Sequence, residues 1–250
     1  MTLVWRPGFQ FDDDAAAYIL AVEAADGQQL EAKVRYAIND FVLGCKSDGI
    51  WTAIKASCIL AGARTLNGAL VSLVGTAPTN FNFVAGDYNR KTGLVGNGST
   101  KYLDSNRNNN ADPQNSKHIS VFASELPSSS TRPLAGMVAA NATGSSYIYD
   151  NATRLNDAAT SSYSRTIRFI GVSRGLASFY TRRSAGFSAD VSVVSAAPIN
   201  GSISFFRDGG GAGFFGNARL AYYSIGESLD LALLDARVTT LVNQFAAVIP

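Results

Sequence analysis

The segment TIRFIGVSRGLASFYTR, residues 166–182, decides the fold class of this chain. It contains two runs rich in β-branched and aromatic residues, Thr166–Ser173 and Ala177–Arg182, separated by a short glycine-containing stretch. Such runs, bounded by turn residues, are typical of β-strands rather than helices. The segment therefore predicts two strands of an antiparallel sheet.

The same pattern continues over most of the chain. From about Asn67 onward, short runs of Val, Ile, Phe, Tyr and Ser alternate with clusters of Gly, Asn, Asp and Pro. The other predicted strands are Ala69–Val74, Phe81–Val84, His118–Ser124, Leu134–Ala140, Ser145–Tyr149, Val191–Ser195, Ser202–Arg207 and Ala218–Ile225. A parallel sheet would need crossover helices between these runs, and none is predicted. The sequence predicts a mainly β chain, folded as an antiparallel β-sandwich or jelly roll.

Helical periodicity is found at the two ends of the chain. Asp12–Ala25 begins with three aspartates, which suit a helix N-terminus, while Gln29–Cys45 and Leu229–Val248 place their apolar residues on one stripe. We expect the last of these helices to close the sandwich. A further helix is predicted between Asp48 and Gly62, with a shared face formed by Ile50, Trp51, Ile54 and Cys58.

These elements divide the chain into an N-terminal helical segment, residues 1–66, and a β-sandwich, residues 67–250. The first segment contains Trp5, Phe9 and Phe11. It has more apolar character than so small a helical unit buries alone. We therefore expect residues 1–66 to attach the protein to an assembly, and we expect the sandwich to fold without them.

Composition narrows the classes of partner. The chain has 250 residues, of which 46% are hydrophobic, and a net charge of +2. Its basic residues are scattered, so no nucleic-acid partner is expected. No apolar run approaches the roughly 20 residues of a membrane span, and the N-terminus lacks the pattern of a secretory signal. We expect no membrane partner.

Residues that commonly carry catalysis are scarce. His118 is the single histidine, and the glutamates are Glu23, Glu31, Glu125 and Glu227. Multi-histidine metal sites and serine or cysteine nucleophiles need well-placed imidazoles, so we expect no enzyme activity, no cofactor and no metal. A carboxylate pair assembled from distant loops is the alternative that would allow glycoside hydrolysis. The two cysteines, Cys45 and Cys58, are either a disulfide or, as we favour, buried thiols.

Two motifs resemble ligand sites but have simpler interpretations. Gly211, Gly213 and Gly216 match G-x-G-x-x-G, yet a strand pattern follows where a dinucleotide site needs a helix. A hairpin loop is the favoured interpretation. The segment Asp104–Asp112 is rich in oxygen ligands for Ca²⁺, but its spacing departs from the EF-hand, and a solvated loop is favoured.

Aromatic residues give the candidate binding site. Tyr147 and Tyr149 lie on one face of a predicted strand, where they either fill the edge of a core or offer rings on which sugars stack. One candidate site combines these tyrosines with the loop at residues 106–110, whose amide groups suit sugar hydroxyls. The other is the glycine-rich hairpin at residues 209–216, whose two adjacent phenylalanines cannot both point into one core. The glycan-contact candidates are Phe214, Phe215, Tyr147, Tyr149, Asn106 and Asn108, with the phenylalanine hairpin slightly preferred.

Two stretches resemble a known family. NFNFVAGDYNRKTGLVGNGSTKYLDSN, residues 80–106, is similar to the opening of concanavalin A-like or LamG-like jelly-roll domains of bacteriophage virion proteins. ARLAYYSIGESLDLALLDARVTTLVNQF, residues 218–245, resembles the way in which those domains end. The helical start also resembles the region that precedes them in phage tail or appendage proteins.

The resemblance implies a concanavalin A-like sandwich over residues 67–250 and a non-enzymatic virion structural protein: a tail fibre, a baseplate appendage or a head decoration. It implies assembly in the host cytoplasm, location in the virion, other virion proteins as partners, a homo-oligomer, and binding of a host surface glycan. A bacterial carbohydrate-binding module or lectin is the alternative, and a glycoside hydrolase of the same fold is a less favoured one.

Overall fold

The structure, a computed structural model, describes residues 10–139, 143–209 and 214–250. These ranges contain the helices α1 (Asp13–Asp26), α2 (Ala32–Ser47), the short α3 (Leu66–Ala69) and α4 (Leu231–Val248). The Asp12 carboxylate caps α1 by accepting a hydrogen bond from the Asp14 N–H, and Gly27, with φ of 67°, ends the helix. The helices predicted over residues 12–25, 29–45 and 229–248 are confirmed.

The strands form two antiparallel sheets. The helix-covered sheet has nine strands, β1 (Ile54–Ile59), β2 (Ser72–Val74), β4 (Tyr88–Asn89), β5 (Gly93–Val95), β7 (Lys117–Glu125), β12 (Arg168–Arg174), β13 (Phe179–Ser184), β14 (Phe187–Ser192) and β16 (Arg219–Gly226). The outer sheet has seven, β3 (Thr79–Phe81), β6 (Tyr102–Asn108), β8 (Pro133–Met137), β9 (Ser145–Tyr149), β10 (Ala152–Asp157), β11 (Ser161–Ser162) and β15 (Ser202–Phe205).

Strand order shows how the sandwich is built. The helix-covered sheet runs β14-β13-β12-β7-β16-β1-β2, with β5 also beside β16, and the outer sheet runs β11-β10-β9-β8-β15-β6-β3. The mainly β class, an antiparallel sandwich preceded by helices and closed by a C-terminal helix, is confirmed. Every strand predicted from the sequence overlaps an observed strand.

Two hydrophobic cores make the molecule three layers thick. The core between the two sheets contains Leu103, Val121, Ile148, Ile170, Phe205 and Tyr223, and the core between the helices and the nine-stranded sheet contains Phe41, Phe122, Phe169, Tyr222, Leu234 and Phe245. Tyr222 and Tyr223, adjacent on β16, point to opposite faces as strand geometry requires and are both fully buried. Because α1, α2 and α4 all pack on the nine-stranded sheet, they leave the far face of the outer sheet open.

The helix predicted between residues 48 and 62 is wrong. Residues 51–53 form one 3₁₀ turn, and the chain continues as β1, which pairs with β16 on one side and with β2 on the other. Ile59 enters the core under the helices and Cys58 enters the core between the sheets. The spacing of Ile50, Ile54 and Cys58 fits a helix, but the stretch IKASC, residues 54–58, also alternates apolar and polar side chains as a strand does. The observed structure follows the alternation.

The position of β1 contradicts the predicted division of the chain into a helical segment and a sandwich at residue 66. Residues 1–66 are not wholly helical, since β1 is an interior strand of the nine-stranded sheet. The expectation that the sandwich folds without this segment is therefore withdrawn. Trp5 and Phe9 lie outside the described residues.

The segment Asp104–Asp112 is not a solvated loop throughout. Its first half belongs to β6, which pairs with β3 and β15 in the outer sheet. Asp112 forms an ion pair with Arg107, and Asp104 accepts hydrogen bonds from the Asn106 N–H and the Ser202 hydroxyl. Both carboxylates thus have protein partners. Among the described residues, no cluster of three or more His, Cys, Asp or Glu could hold a metal ion.

The two cysteines are free and buried. Cys45 belongs to the core under the helices and Cys58 to the core between the sheets, so the nine-stranded sheet separates them. Burial raises the pKa of Cys45 to about 12, which keeps it a thiol. None of the helices in the described ranges combines the length and apolar character that crossing a bilayer requires.

Candidate functional site

The open face of the outer sheet carries a line of aromatic rings. On β9, Ile148 points into the core between the sheets, so Tyr147 and Tyr149 point to the opposite, open face. The prediction that these two tyrosines share a face is confirmed. Their ring centroids lie 4.5 Å apart, and Tyr147 is 7% exposed whereas Tyr149 is half-buried.

Phe214 and Phe215 extend this line. The Phe214 ring lies 5.9 Å from the Tyr149 ring, and the Phe215 ring lies 6.1 Å from that of Tyr102 on β6. Tyr102 in turn stacks on Phe81 of β3 at 4.2 Å, with their planes 4° apart. We call the six rings of Tyr147, Tyr149, Phe214, Phe215, Tyr102 and Phe81 the aromatic strip.

The phenylalanine pair is held at the sheet by Arg207. The backbone of Phe215 forms an isolated β-bridge with Arg207, just beyond the end of β15. Both phenylalanine rings are half-buried, and neither belongs to the two hydrophobic cores. Gly216 leads to the strand β16 rather than to a helix, so the helix that a dinucleotide site needs is absent at this position. The strands on either side of the glycine motif, β15 and β16, belong to different sheets. Gly211 and Gly213 lie outside the described residues.

Three arginines lie against the aromatic strip. The guanidinium carbon of Arg132 is 5.1 Å from the Phe214 ring centroid, and that of Arg154 is 5.5 Å from Tyr147. Arg207 lies 4.7 Å from the Tyr102 ring and 5.5 Å from the Phe215 ring. These distances are within the range of cation–π attraction. The strip is therefore cationic as well as aromatic.

Asp208 supplies a hydrogen-bond acceptor beneath the strip. It is 6% exposed, and its Oδ2 accepts a hydrogen bond of 3.2 Å from the Tyr149 hydroxyl. Burial, followed by the charge of Asp208, raises the pKa of Tyr149, so the phenol stays protonated and keeps donating. This bond fixes the orientation of the Tyr149 ring.

The structure joins the predicted residues in a different combination from the one the sequence suggested. The phenylalanine hairpin meets Tyr149, while the amides of the predicted loop are engaged elsewhere. Asn106, with φ of 56°, donates to the Ala77 carbonyl at 2.8 Å, and Asn108 donates to the Asn200 amide oxygen at 3.0 Å. Both side chains thus donate to neighbouring protein groups other than the two tyrosines.

Sequence reasoning missed five members of the site, namely Tyr102, Phe81, Arg132, Arg154 and Arg207. The first two were detectable in part, since Tyr102 alternates with Leu103 in a strand pattern and the register places Phe81 directly opposite Tyr102. The three arginines are far apart in the chain, and only strand order brings them to one face.

A serine–histidine contact lies in the opposite part of the molecule. His118 donates from Nδ1 to the Glu227 carbonyl at 2.6 Å and accepts at Nε2 from the Ser224 hydroxyl at 2.9 Å. Ser224 also contacts the Ser120 hydroxyl at 2.7 Å, and all three side chains are fully buried. Burial lowers the pKa of His118 to about 4, so it is neutral and weakly basic near pH 7. With no exposed surface, the group has the features of a structural network.

Two cavities lie away from the aromatic strip. One of about 480 Å³ lies between α2 and α4 and is lined by Phe41, Gly44, Arg237 and Leu241, among others. Another of about 470 Å³ is lined by Phe179, Ser188 and Leu231 among others, beside the start of α4. Neither has the convergent aromatic and charged groups of the strip, which we take as the candidate site.

Comparisons with known proteins give weak similarities. No family model matches the chain, so the resemblance to phage virion domains stays a prediction. No curated protein matches it either. A botulinum neurotoxin serotype D binding domain is 10% identical with a TM-score of 0.48, covering 75% of this chain and 51% of that one.

Two further solved structures are similar in the same range. A Trypanosoma rangeli sialidase in complex with 2,3-difluorosialic acid is 13% identical with a TM-score of 0.41, covering 77% of this chain and 33% of that one. A structure concerned with the interaction of botulinum neurotoxin type C with two ganglioside molecules is 16% identical with a TM-score of 0.37, covering 60% and 42%. The chain thus spans about half or less of the length of these structures. Similarities this weak leave the function to the geometry of the site.

Proposed function

We propose that this chain is a non-enzymatic glycan-binding protein whose saccharide lies on the aromatic strip. One observation carries the proposal: partly exposed rings, including Tyr149 and Phe214, gather on the one sheet face that the helices leave open. The apolar faces of sugar rings pack against aromatic rings, while sugar hydroxyls bond to nearby polar groups. Arginines along the strip supply donors for those hydroxyls.

The state of the acidic residues supports a binding role without hydrolysis. Glycosidases use two carboxyl groups, roughly 5 to 10 Å apart, on either side of the scissile bond. Glu125 forms an ion pair with Arg219 at 3.2 Å, and Glu227 forms one with Lys55 at 3.2 Å. Neither lies on the outer sheet. The two aspartates of its open face are held by protein donors, since Asp208 accepts from the Tyr149 hydroxyl and Asp104 accepts from the Asn106 N–H and the Ser202 hydroxyl.

A glycan array containing neutral and acidic oligosaccharides tests this proposal. The sugars that bind on the array are then incubated with the protein and analysed for new reducing ends. We expect saturable binding to a defined set of glycans and no release of reducing sugar. An array without any specific binding would refute the proposed function. Release of reducing sugar would refute its non-enzymatic part and favour a hydrolase of the same fold.

For the biological setting, we propose a virion structural protein that carries this site outward, with a bacterial carbohydrate-binding module or lectin as the alternative. The support is the sequence resemblance of residues 80–106 and 218–245, together with exposed apolar residues on the helices. Leu20 is 67% exposed and Leu43 is 46% exposed, on the side opposite the aromatic strip. Such residues suit attachment to other virion proteins or to copies of the chain.

Fractionation of a producing culture separates the two settings. Immunodetection of the chain in density-purified phage particles, with a defined oligomer in light scattering, is the expected result. If the chain is found only in cells or free in the medium, the virion role is wrong and the alternative is favoured.

A further inference from the structure

The two phenylalanines at the centre of the aromatic strip carry one arginine each. Arg132 lies over Phe214 and Arg207 lies over Phe215. The two rings belong to consecutive residues, whose Cα atoms are about 3.8 Å apart. Two guanidinium groups therefore flank a single dipeptide and place two positive charges beside the same stretch of the strip.

These charges have no carboxylate partner among the described residues. Within residues 10–139, 143–209 and 214–250, Arg132, Arg154 and Arg207 take part in none of the ion pairs, whereas arginines such as Arg107 and Arg165 are paired with aspartates. The acidic side chains of this face are Asp104 and Asp208, and both accept hydrogen bonds from neighbouring donors. Three guanidinium groups thus face two carboxylates, which leaves the strip with an excess of one positive charge.

The arginines also keep hydrogen-bonding capacity. No side-chain hydrogen bond of Arg207 is seen within the described residues, and its Nε is buried without a partner. Arg132 donates from Nε to the Ser129 hydroxyl at 3.0 Å, and Arg154 donates from Nη2 to the Ala158 carbonyl and the Thr160 hydroxyl, both at 3.3 Å. The terminal nitrogens of Arg132 and Arg207 are therefore the donors that remain for a ligand. A guanidinium group stacked on a ring still points its terminal N–H groups away from the ring face, and these match the oxygens of a carboxylate or a sulfate. Stacking also fixes the side chain beforehand, which reduces the entropy lost on binding.

We propose, resting on the glycan-binding function above, that the strip selects acidic saccharides. Their carboxylate or sulfate group is bound between Arg132 and Arg207, while a sugar ring packs on Tyr149 and Phe214. The strip runs from β9 to β3, which is four interstrand spacings or about 19 Å, so the ligand is an oligosaccharide rather than one sugar. The positive charge of the arginines then selects acidic saccharides, because the aromatic rings pack against neutral and acidic sugars alike.

The test compares matched polymers that differ only in charge. Polygalacturonate and its methyl ester form the carboxylate pair, dextran sulfate and dextran form the sulfate pair, and the same glycan array supplies shorter acidic and neutral sugars. The variant is Arg132→Gln with Arg207→Gln. A second variant, Lys33→Gln with Lys91→Gln, removes the same charge from residues outside the strip, and circular dichroism checks that both variants fold.

We expect the wild type to prefer the charged members of the pairs and the acidic array sugars, with affinity falling as salt rises. Loss of both arginines should weaken the binding of acidic saccharides by about tenfold or more, and the lysine variant should bind them like the wild type. Preference for one pair identifies carboxylate or sulfate as the bound group. Binding of neutral sugars alone, or acidic binding unchanged by the arginine variant, would overturn the selectivity and leave the glycan-binding function standing. Absence of binding to every saccharide would overturn both.

Discussion

Lowering the pH below about 6.5 should destabilise this protein through His118. The imidazole has no exposed surface, and burial lowers its pKa from 6.5 to about 4 in the folded chain. A base whose folded pKa is depressed gives full stability above its unfolded pKa. That stability is lost as the pH falls from 6.5 towards 4, because only the unfolded chain then binds the proton.

The magnitude follows from the size of the shift. One pKa unit corresponds to about 1.36 kcal/mol, so a fall from pH 6.5 to about 5 should lower the free energy of unfolding by about 2 kcal/mol. Lys117, whose pKa is lowered by burial to about 7, is charged in both states over most of this range. The hydrogen bond from Arg90 lowers the pKa of Glu31, so this carboxylate affects the free energy of unfolding only near and below pH 4.5.

Urea unfolding at several pH values, in the wild type and in His118→Asn, measures this effect. The asparagine amide can still donate to the Glu227 carbonyl but does not titrate. The variant should be less stable near pH 7 and should lose most of the pH dependence between 6.5 and about 5. An equal pH dependence in both proteins would contradict the assignment of a buried neutral imidazole, and with it the structural interpretation of the His118–Ser224 contact.

Two further predictions concern stability. Deleting residues 1–66 should leave an unfolded or aggregated chain by circular dichroism, because β1 is removed from between β16 and β2; a soluble, cooperatively folding remainder would show that the strand is dispensable. Replacing Arg174 by Met should lower the free energy of unfolding by about 3–5 kcal/mol, since it leaves Asp157 buried without its partner, and a loss below about 1 kcal/mol would contradict this.

How well the sequence predicts the fold depends on how each element is buried. Strand β9 has one face in the core and one on the open side, and its predicted bounds, Ser145–Tyr149, agree with the structure. Helix α2 has an apolar stripe and was equally visible. Strand β1 is mispredicted because the helical spacing of Ile50, Ile54 and Cys58 competes with a short alternation in IKASC, and six residues are too few to decide between the two periods.

The candidate site was predictable only in its aromatic part. Tyr147 and Tyr149 could be placed on one face because strand geometry is local, and Phe214 with Phe215 stood out by adjacency. Their meeting depends on β8 and β9 being neighbours in the outer sheet while the hairpin returns beside β15. That order is a property of the tertiary structure, so the arginines at residues 132, 154 and 207 gave no signal in the sequence.

Affinity of the double variant Tyr149→Ala with Phe214→Ala for an array-positive glycan tests the central claim most directly. The matched control is Phe187→Ala, which removes a 79% exposed ring from the other sheet. We predict that the double variant binds more weakly by about 1–3 kcal/mol, roughly 5- to 150-fold, while the control binds like the wild type and all three proteins melt cooperatively. Unchanged affinity in a folded double variant would show that the saccharide does not lie on the aromatic strip.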